Sequence, residues 1–373
     1  MKILTIGGAT QDLFAHYSGS DVMTLTHKNQ IQQFMLFLSG EKAELDSLTA
    51  LTGGGATNSA VSFKRLGFEA HCFCNIGNDS GGQFVLSELK KERVDTCHIH
   101  ISSHHSTGTS VIINTAGKQR TVLVYRGANN HLELNKLPYD QIKQSNQLYI
   151  TSLSSASSQI LPDIVAFARQ HKVPVAINPG TSQLAKGTLT LKKSLVYIDI
   201  LILNSYEAHT FMIALVGTDE NYKKRLECSS NQKPCALNEA VESPYLVDSP
   251  LAYADSFFSI RNFFKAALAM GPKIVVITNG ANGVYVATDK TMYFHPSLKV
   301  NVVSAVGAGD AFGSCFVASL LQGSTIQDAL KNGIINSASV LEYVGAKEGL
   351  LTMQQLKEKT KQISKSQVQT FDL

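Results

Sequence analysis

The chain has 373 residues, which is long enough for two domains or for one large α/β domain with an appendage. Hydrophobic residues make up 44% of it and charged residues 17%. This balance argues for a packed globular core and against a disordered or fibrous protein. The formal net charge is only +4, and the sequence has no cluster of Lys and Arg with interleaved aromatic residues. The composition therefore argues against a nucleic-acid partner.

The cysteines and the N-terminal residues indicate the cellular compartment of the protein. No two of the cysteines form a Cys-x-x-Cys pair, and no histidine stands at zinc-ligand spacing, so reduced thiols are expected and a metal cluster is not. The apolar start, residues 1–6, is too short for a signal peptide, and no apolar run is long enough to span a bilayer. We expect a cytoplasmic protein with no membrane partner. The six cysteines are Cys72, Cys74, Cys97, Cys228, Cys235 and Cys315.

Along the chain, short apolar runs alternate with stretches of helical character. Near-continuous Ile, Val and Leu strands between helices predict a parallel sheet that is covered on both faces. Asn178, Asn204 and Thr278 each follow such a run, and ligands of open α/β sheets bind at the carboxyl ends of the strands. The predicted strands are 3–6, 148–150, 173–177, 200–203 and 274–277, and the clearest predicted helices are 158–171 and 256–270.

Other segments depart from this alternation. Residues 12 to about 52 and 102–125 are rich in Thr, Val, Ile and Phe with period two, and residues 114–118 have the composition of a hairpin turn. His104 and His105 are interpreted as part of a polar turn before this hairpin and not as metal or acid/base residues. The polar stretch 217–255 predicts an insertion or a long loop. The tail from residue 353 predicts a solvated helix with a frayed end.

A glycine-rich turn at 307–309 carries the strongest functional signal. The apolar run 293–303 predicts extended chain before it, and residues 311–321 predict a buried helix after it. Backbone N–H groups at a helix start bind phosphate oxygens, and glycine lets the backbone approach closely. Asp310 would stand beside the transferred group, where a carboxylate can accept a hydroxyl proton. In isolation, a turn followed by a helix cap explains the same residues.

A second glycine-rich segment, Gly53-Gly54-Gly55-Ala56-Thr57-Asn58, precedes another apolar helical stretch at 59–66, and Gly77-Asn78-Asp79-Ser80-Gly81-Gly82 follows it. With Gly307-Ala308-Gly309-Asp310, these motifs make the chain resemble the ribokinase (PfkB) family of carbohydrate and nucleoside kinases. The resemblance covers nearly the whole chain. Further matches are Gly7-Gly8-Ala9-Thr10-Gln11-Asp12, Thr107-Gly108-Thr109, Gly127-Ala128-Asn129, Asn204-Ser205-Tyr206-Glu207, Thr278-Asn279-Gly280-Ala281-Asn282-Gly283 and Asn336-Ser337-Ala338.

The resemblance implies one ribokinase-like kinase domain over residues 1–373, a three-layer α/β/α fold with a mostly parallel central sheet. A small β-sheet lid would be formed by segments of about 12–52 and 102–128. The implied reaction is transfer of the γ-phosphate of ATP, with Mg²⁺, to a hydroxyl, in particular a primary one, of a small sugar or nucleoside. An exposed edge of the lid would suit a homodimer.

The same resemblance assigns the site residues. Asp310 is the implied general base, and Gly307, Ala308 and Gly309 form the anion hole. The implied substrate-binding residues are Asp12, Gly54, Gly55 and Asn58. The implied ATP-binding residues are Asn204, Thr278, Gly280, Gly283 and Asn336, and Glu207 is implied to hold Mg²⁺ through water.

Two departures from the family pattern limit the assignment. Ser304-Ala305 stands where the family usually has Asp-Thr, which makes activation by a monovalent cation such as potassium doubtful. Gly55 stands where ribose-specific members usually have Lys, which weakens a strict ribose assignment and brings the chain nearer to the broad sugar or nucleoside kinases.

Alternative functions remain open from the sequence. One is a nucleoside kinase specifically, of the adenosine type. A dinucleotide-binding oxidoreductase is weakened because the early glycines lack the Gly-x-Gly-x-x-Gly fingerprint. A non-catalytic relative that binds ligand as a sensor is weakened by the presence of Asp310 and both glycine motifs.

Overall fold

The protein is described here by a computed structural model, which covers residues 1–27, 30–40, 42–115, 120–227, 251–253, 256–362 and 368–373. The described residues form a nine-stranded central sheet, a four-stranded sheet and three two-stranded sheets. In chain order the strands are β1 (Lys2–Ile6), β2 (Thr10–His16), β3 (Asp21–His27), β4 (Gln30–Leu36), β5 (Ser47–Gly53), β6 (Glu69–Phe73), β7 (Asn75–Gly77), β8 (His100–Ser102), β9 (Gly108–Asn114), β10 (Arg120–Tyr125), β11 (Gln147–Ile150), β12 (Val175–Ile177), β13 (Ile200–Asn204), β14 (Leu251–Tyr253), β15 (Ser256–Phe258), β16 (Ile274–Thr278), β17 (Val284–Ala287), β18 (Thr291–His295) and β19 (Gln369–Asp372).

Helices surround the central sheet. In chain order they are α1 (Gly55–Arg65), α2 (Ser80–Lys91), α3 (Tyr139–Gln144), α4 (Leu161–Gln170), α5 (Thr188–Ser194), α6 (Ser205–Thr218), α7 (Glu220–Leu226), α8 (Ile260–Ala269), α9 (Ala308–Leu321), α10 (Ile326–Leu341) and α11 (Met353–Gln362). Within the described part of the chain, none of the helices has the length and apolar character that a membrane crossing would need.

The central sheet has the order β19-β18-β17-β16-β13-β12-β11-β1-β6. Neighbouring strands from β6 to β16 are parallel, and those from β16 to β19 are antiparallel. Parallel pairing needs crossover helices, which the chain supplies between these strands. The expected mostly parallel sheet is therefore confirmed.

The sheet is covered on both faces because apolar residues occupy consecutive positions of its strands. Leu148 and Ile150 of β11 belong to one buried cluster, together with residues of α4 to α8. Tyr149, between them, belongs to a second cluster formed with α1, α9, α10 and α11. Successive side chains of a strand point to opposite faces, so these clusters are the two interfaces of a three-layer α/β/α fold.

The four-stranded sheet, with the order β10-β9-β2-β5, is the lid sheet. Strands β9 and β10 form the predicted antiparallel hairpin, although residues 116–119 of its turn lie outside the described residues. Strand β2 pairs with β5 and β9. Strands β3 and β4 form a separate hairpin within the same N-terminal segment.

The stretch 217–255, predicted as an insertion or a long loop, contains α7, which buries Tyr222 and Leu226; residues 228–250, 254 and 255 lie outside the described residues. That it is an insertion stays a prediction. Two expectations for other segments need correction. The tail does not end as a frayed helix, because β19 pairs with β18 at the edge of the central sheet. Of the run 293–303, only the residues up to His295 form a strand.

Candidate active site

Two helices begin at glycines on the carboxyl edge of the central sheet. Gly54 precedes α1 with a φ of 98°, and Gly307 precedes α9 with a φ of 80°. A Cβ on Gly54 would lie 2.4 Å from the Gly8 carbonyl oxygen, and one on Gly307 would lie 2.4 Å from Ala346 Cβ. Backbone conformation and close packing both require glycine here. These glycines therefore fix where the two helices start.

Helix α9 begins earlier than the sequence predicted. Ala308, Gly309 and Asp310 form its first turn, so they do not lie in a loop ahead of it. The N–H groups of a first helical turn have no acceptor within the helix, and the helix dipole adds positive potential there. The predicted anion hole at Gly307, Ala308 and Gly309 stays a prediction, and it now falls on the N-cap and first turn of α9. Asp310 does not cap the helix, because Gly307 occupies the N-cap position.

Helices α1 and α9 are joined by two pairs of polar side chains. Asn58 Nδ2 donates a hydrogen bond of 2.8 Å to Asp310 Oδ2. One turn further along both helices, Ser314 Oγ donates to Ser62 Oγ at 2.7 Å. Gly313 lets α9 pack closely on the central sheet, because a Cβ there would lie 2.2 Å from the hydroxyl oxygen of Tyr149 in β11. Asp310 is consequently held against the helix that the first glycine motif opens.

Burial dominates the electrostatics of Asp310. Loss of solvent raises the pKa of its carboxyl group, while the hydrogen bond from Asn58 and the charge of Lys347 act in the opposite direction. Asp12 has the smallest influence and raises the pKa further. A carboxylate with a raised pKa holds an accepted proton more strongly, as a general base requires.

Asp12 lies in strand β2 of the lid sheet and is only 6% exposed. Gly53 makes room for it, because a Cβ there would lie 1.9 Å from Asp12 Oδ2. Burial raises the pKa of Asp12, against the opposing effects of hydrogen bonds with Thr10 and Ser110 and of the Lys347 charge.

Two acceptor oxygens of this site have no partner among the described residues. They are Asp12 Oδ1 and Asn58 Oδ1, and both are buried. Buried polar atoms in folded proteins are nearly always hydrogen-bonded, so each of these oxygens calls for a donor from outside the protein.

Lys347 is a functional candidate that the sequence analysis missed. It follows α10 in a loop, is 7% exposed, and its Nζ donates to Thr52 Oγ1 at 2.7 Å and to the Thr52 carbonyl oxygen at 3.0 Å. Burial lowers its pKa to about 8, although the charges of Asp12, Glu348, Cys72 and Asp310 act in the opposite direction. Its only sequence signal is the glycine-containing turn Val344-Gly345-Ala346 before it, whose Ala346 packs on Gly307.

The predicted nucleotide residues lie farther along the same edge of the sheet. Asn204 and Thr278 are partners in register at the ends of β13 and β16. Gly280 and Gly283 shape the turn from β16 to β17 with φ of 54° and 93°. A Cβ on Gly283 would lie 2.4 Å from the His295 carbonyl oxygen, so this glycine also has a purely steric reason.

Glu207 and Asn204 form a capping box at the start of α6. Glu207 N donates to Asn204 Oδ1, and Asn204 N donates to Glu207 Oε2, both at 2.8 Å. Burial raises the pKa of Glu207; hydrogen bonds from Asn204 and Asn178 oppose this, and the charge of Asp310 adds to it. Glu207 thus has a structural role in the helix, and it also lies within electrostatic reach of Asp310.

The structure does not place Asn336 in an open nucleotide site. Asn336 is fully buried, its Nδ2 donates to the Ala311 carbonyl oxygen at 2.9 Å, and its Oδ1 accepts from Leu351 N at 2.9 Å. Its amide therefore joins α10 to α9 and to the loop that carries Lys347. The motif suggested a ligand contact because position in the sequence does not reveal these partners.

Comparisons with known proteins agree with this fold. A family model described as pfkB family carbohydrate kinase matches residues 20–234 and 256–353. The ATP-dependent 6-phosphofructokinase of Thermoanaerobacterium thermosaccharolyticum is 27% identical over 308 residues, covering 82% of this chain and 84% of that protein. The ribokinase of Staphylococcus aureus is 24% identical over 325 residues, covering 86% and 91%. The structure of Arabidopsis thaliana ribokinase complexed with ribose and ATP matches with a TM-score of 0.71 at 14% identity, covering 95% of this chain and 97% of that one.

The fold is that of ribokinase-like proteins, a three-layer α/β/α structure with a small lid sheet. With the family model matching most of its length, the chain belongs to the pfkB family of carbohydrate kinases. The resemblance inferred from the glycine motifs is thereby confirmed, and so is the transferase class that it implied. The roles of individual residues rest on the geometry given above.

Proposed function

We propose that this protein transfers the γ-phosphate of ATP to a hydroxyl group of a sugar or nucleoside, with Asp310 as the general base. The observation that carries the proposal is the Asn58–Asp310 hydrogen bond of 2.8 Å at the first turn of α9. It puts a carboxylate beside backbone N–H groups suited to phosphate and beside the two unpartnered buried acceptors.

The acceptor substrate is a compound with several hydroxyl groups. Asp12 Oδ1 and Asn58 Oδ1 are both acceptors, so a ligand that satisfies both must bring at least two O–H donors. Sugars and the ribose of nucleosides meet this requirement. Lys347 adds a positive charge that favours the ionised forms of Asp12 and Asp310.

The nucleotide would lie along Asn204, Thr278 and Gly280, with its phosphates directed at the start of α9. A carboxylate oxygen of Glu207 suits Mg²⁺, which prefers oxygen ligands and keeps several waters, so we propose that Glu207 holds the ion through water. When bound, the ion would neutralise charge on the phosphates. Gly283 would contribute to the nucleotide site indirectly, by shaping the turn between β16 and β17. Asn336 is left out of this proposal because its amide is satisfied within the protein.

In the proposed reaction the hydroxyl proton passes to an Asp310 oxygen while the hydroxyl oxygen forms a bond to the γ-phosphorus. The bond between that phosphorus and the bridging oxygen of ADP breaks, and the bond electrons leave with ADP. The N–H groups at Gly307, Ala308 and Gly309 would bind the oxygens of the transferred group. Asp310 then returns its proton to water.

A substrate screen tests the proposal. The protein is incubated with ATP, Mg²⁺ and one acceptor at a time: ribose, fructose, fructose 6-phosphate, adenosine and cytidine. We expect ADP release and a phosphorylated product with one acceptor class. Fructose 6-phosphate and ribose are included in the screen because relatives of the chain are a 6-phosphofructokinase and a ribokinase.

Turnover of nucleosides alone would favour the adenosine-type alternative. Binding of ATP and of an acceptor without phosphorylated product would favour the non-catalytic relative and overturn the proposal. Repeating the assay with and without potassium tests whether Ser304-Ala305, in place of the usual Asp-Thr, removes activation by a monovalent cation.

We also infer that residues 1–373 act as one cytoplasmic kinase domain that dimerises through the lid. Strand β10 lies at an edge of the lid sheet and is exposed along its whole length, including Leu123 at 55% and Tyr125 at 58%. An exposed apolar edge strand is a template for pairing with a second copy. Light scattering at micromolar concentration should give twice the mass of one chain. The variant Leu123→Lys should have the mass of a monomer. A monomer mass for the parent protein would remove the idea.

A further inference from the structure

A cluster of metal-binding side chains lies on the edge strand of the central sheet, outside the proposed active site. His71 projects from the middle of β6, and Cys97 and His98 lie in the segment that runs alongside it. One ligand atom from each of the three lies within 4.8 Å of the others. No metal cluster at the cysteines was expected from the sequence, because these residues have no recognised zinc spacing and only the fold brings them together.

His71 is arranged as a metal ligand. It is 5% exposed, and its Nε2 lies 3.2 Å from Glu69 Oε1, while its Nδ1 lies 3.3 Å from Asp95 Oδ2. When Nε2–H donates to Glu69, Nδ1 presents a lone pair to a carboxylate oxygen. Nδ1 has no hydrogen-bond partner among the described residues. A cation bound between these two acceptors would remove the repulsion of their lone pairs.

The geometry fits a tetrahedral ion. Zn–N and Zn–O bonds are about 2.0–2.1 Å, which makes the edge of a regular tetrahedron about 3.3–3.4 Å. The distance between His71 Nδ1 and Asp95 Oδ2 is 3.3 Å. The carboxylate of Glu69 behind His71 is the usual partner of a metal-bound imidazole, and Lys2 Nζ lies 3.4 Å from that carboxylate. Glu69 is thus an orienting group and not a ligand.

We propose that His71, Cys97 and His98, with Asp95 as the fourth ligand, bind a zinc ion. Nitrogen and sulfur donors favour Zn²⁺ over Mg²⁺ and Ca²⁺, which prefer oxygen. Asp95 is already held in place, because its Oδ1 accepts from Cys97 N at 2.9 Å. Closing the remaining distances requires rotation of the Cys97 and His98 side chains.

The ion would fasten the edge of the sheet to the segment that covers it. Asp95 N donates to the Ala70 carbonyl oxygen at 2.9 Å, and Cys72 N donates to the Asp95 carbonyl oxygen at 3.3 Å. The backbone of this segment therefore already pairs with β6, and four side-chain ligands would complete the attachment. Metal bound to the folded state alone stabilises it by mass action. The site would stabilise the fold whether or not the proposed kinase reaction is correct.

Cobalt substitution in the full-length, reduced protein tests the site. After metal is removed with a chelator, Co²⁺ is added, and absorption is followed for tetrahedral d–d bands and a thiolate charge-transfer band. We expect one Co²⁺ per chain, displacement by Zn²⁺, and a rise in melting temperature with Zn²⁺. Cys97→Ser should abolish the charge-transfer band. His98→Gln should weaken Zn²⁺ binding at least about tenfold, because loss of even an outer-shell partner of a ligand costs about 10- to 100-fold.

Two matched controls make the result specific. The double variant Cys228→Ser/Cys235→Ser removes the thiols of another segment and should keep the band, and His104→Gln should keep the affinity. Both Cys97 and His98 are accessible enough to solvent that their substitution should leave the fold intact. A charge-transfer band that persists in Cys97→Ser, or a Zn²⁺ affinity that His98→Gln leaves unchanged, would overturn the proposal.

Discussion

The interface between α1 and α9 and the lid sheet contribute to the same site in different ways. Asn58 and Asp310 are fixed by a hydrogen bond between two helices, and Ser62 and Ser314 repeat the link one turn away. Strand β10 of the lid, in contrast, is exposed throughout. The proposed base, Asp310, therefore stands on a packed scaffold, whereas Asp12 comes from the sheet with the exposed edge. This difference suggests that the chemistry is preorganised and that access of the acceptor is controlled by the lid.

The largest expected effect comes from the packed region. Asp310→Asn keeps the size of the side chain but removes its capacity to accept a proton. Loss of a positioned base typically costs 10²–10⁴-fold, so we expect turnover to fall by about that factor with ATP affinity and melting temperature little changed. Steady-state kinetics and nucleotide binding give the measurement.

Asp328→Asn is the matched control for this variant. Asp328 lies in the first turn of α10, as Asp310 lies in the first turn of α9. Both substitutions remove a negative charge from a helix start, so any effect of the helix dipole is shared. Near-normal turnover by Asp310→Asn would show that Asp310 is not the base.

Asn58→Ala should have the next largest effect. It removes an acceptor for a substrate hydroxyl and the donor to Asp310, and an unmatched group in a closed site costs about 1–3 kcal/mol, roughly 5- to 150-fold. We expect the KM for the acceptor to rise and that for ATP to be nearly constant. The acidic limb of the pH profile should also move to higher pH, because the Asn58 hydrogen bond lowers the pKa of Asp310.

Ser62→Ala separates packing from chemistry. Ser62 joins the same two helices one turn away, so its loss should lower the melting temperature without shifting the pH profile. If Asn58→Ala raises the KM for ATP more than that for the acceptor, the two substrate sites have been exchanged in our proposal.

Lys347→Met tests the charge that links the two regions. The positive charge of Lys347 lowers the pKa of Asp310 and of Asp12. Without it both pKa values rise, so the acidic limb of kcat/KM should move to higher pH. In the parent protein this influence is lost as Lys347 releases its proton with the pH rising through about 8.

Lys273→Met is the control. Lys273 pairs with Asp199 just before β16 begins, at the amino ends of the parallel strands and away from the candidate site, and its side chain is 73% exposed. It should leave the acidic limb of the profile in place. An unchanged acidic limb in Lys347→Met would show that this ammonium group does not act on the base.

The sequence predicted the two regions unequally. Apolar runs and glycine motifs were sufficient for the parallel sheet, for a helix after each glycine motif and for the hairpin of β9 and β10, because those features depend on local pattern. Both helices begin a few residues earlier than predicted, at Gly55 and Ala308. Lys347 and the internal role of Asn336 depend on partners far away in the chain, such as Thr52 and Ala311. The strand β19 was missed for the same reason, since only its pairing with β18 makes a polar tail into a strand. Local pattern therefore predicted where the site lies better than which side chains complete it.

The smallest expected effect concerns movement of the lid. Asp12 is carried by β2, which pairs with β9 along its whole length, so a substrate bound between Asp12 and Asn58 would hold the lid sheet against the scaffold. Closure of this kind excludes water that would otherwise accept the phosphate. We expect saturating acceptor to slow amide hydrogen exchange in residues 102–115 and 120–125 several-fold. Strands β11 to β13 serve as the internal control, because they are buried in the central sheet and their exchange should change little. Exchange in the lid that saturating acceptor does not alter would mean that the lid sheet is as fixed as the interface between α1 and α9, and the contrast between the two regions would then fail.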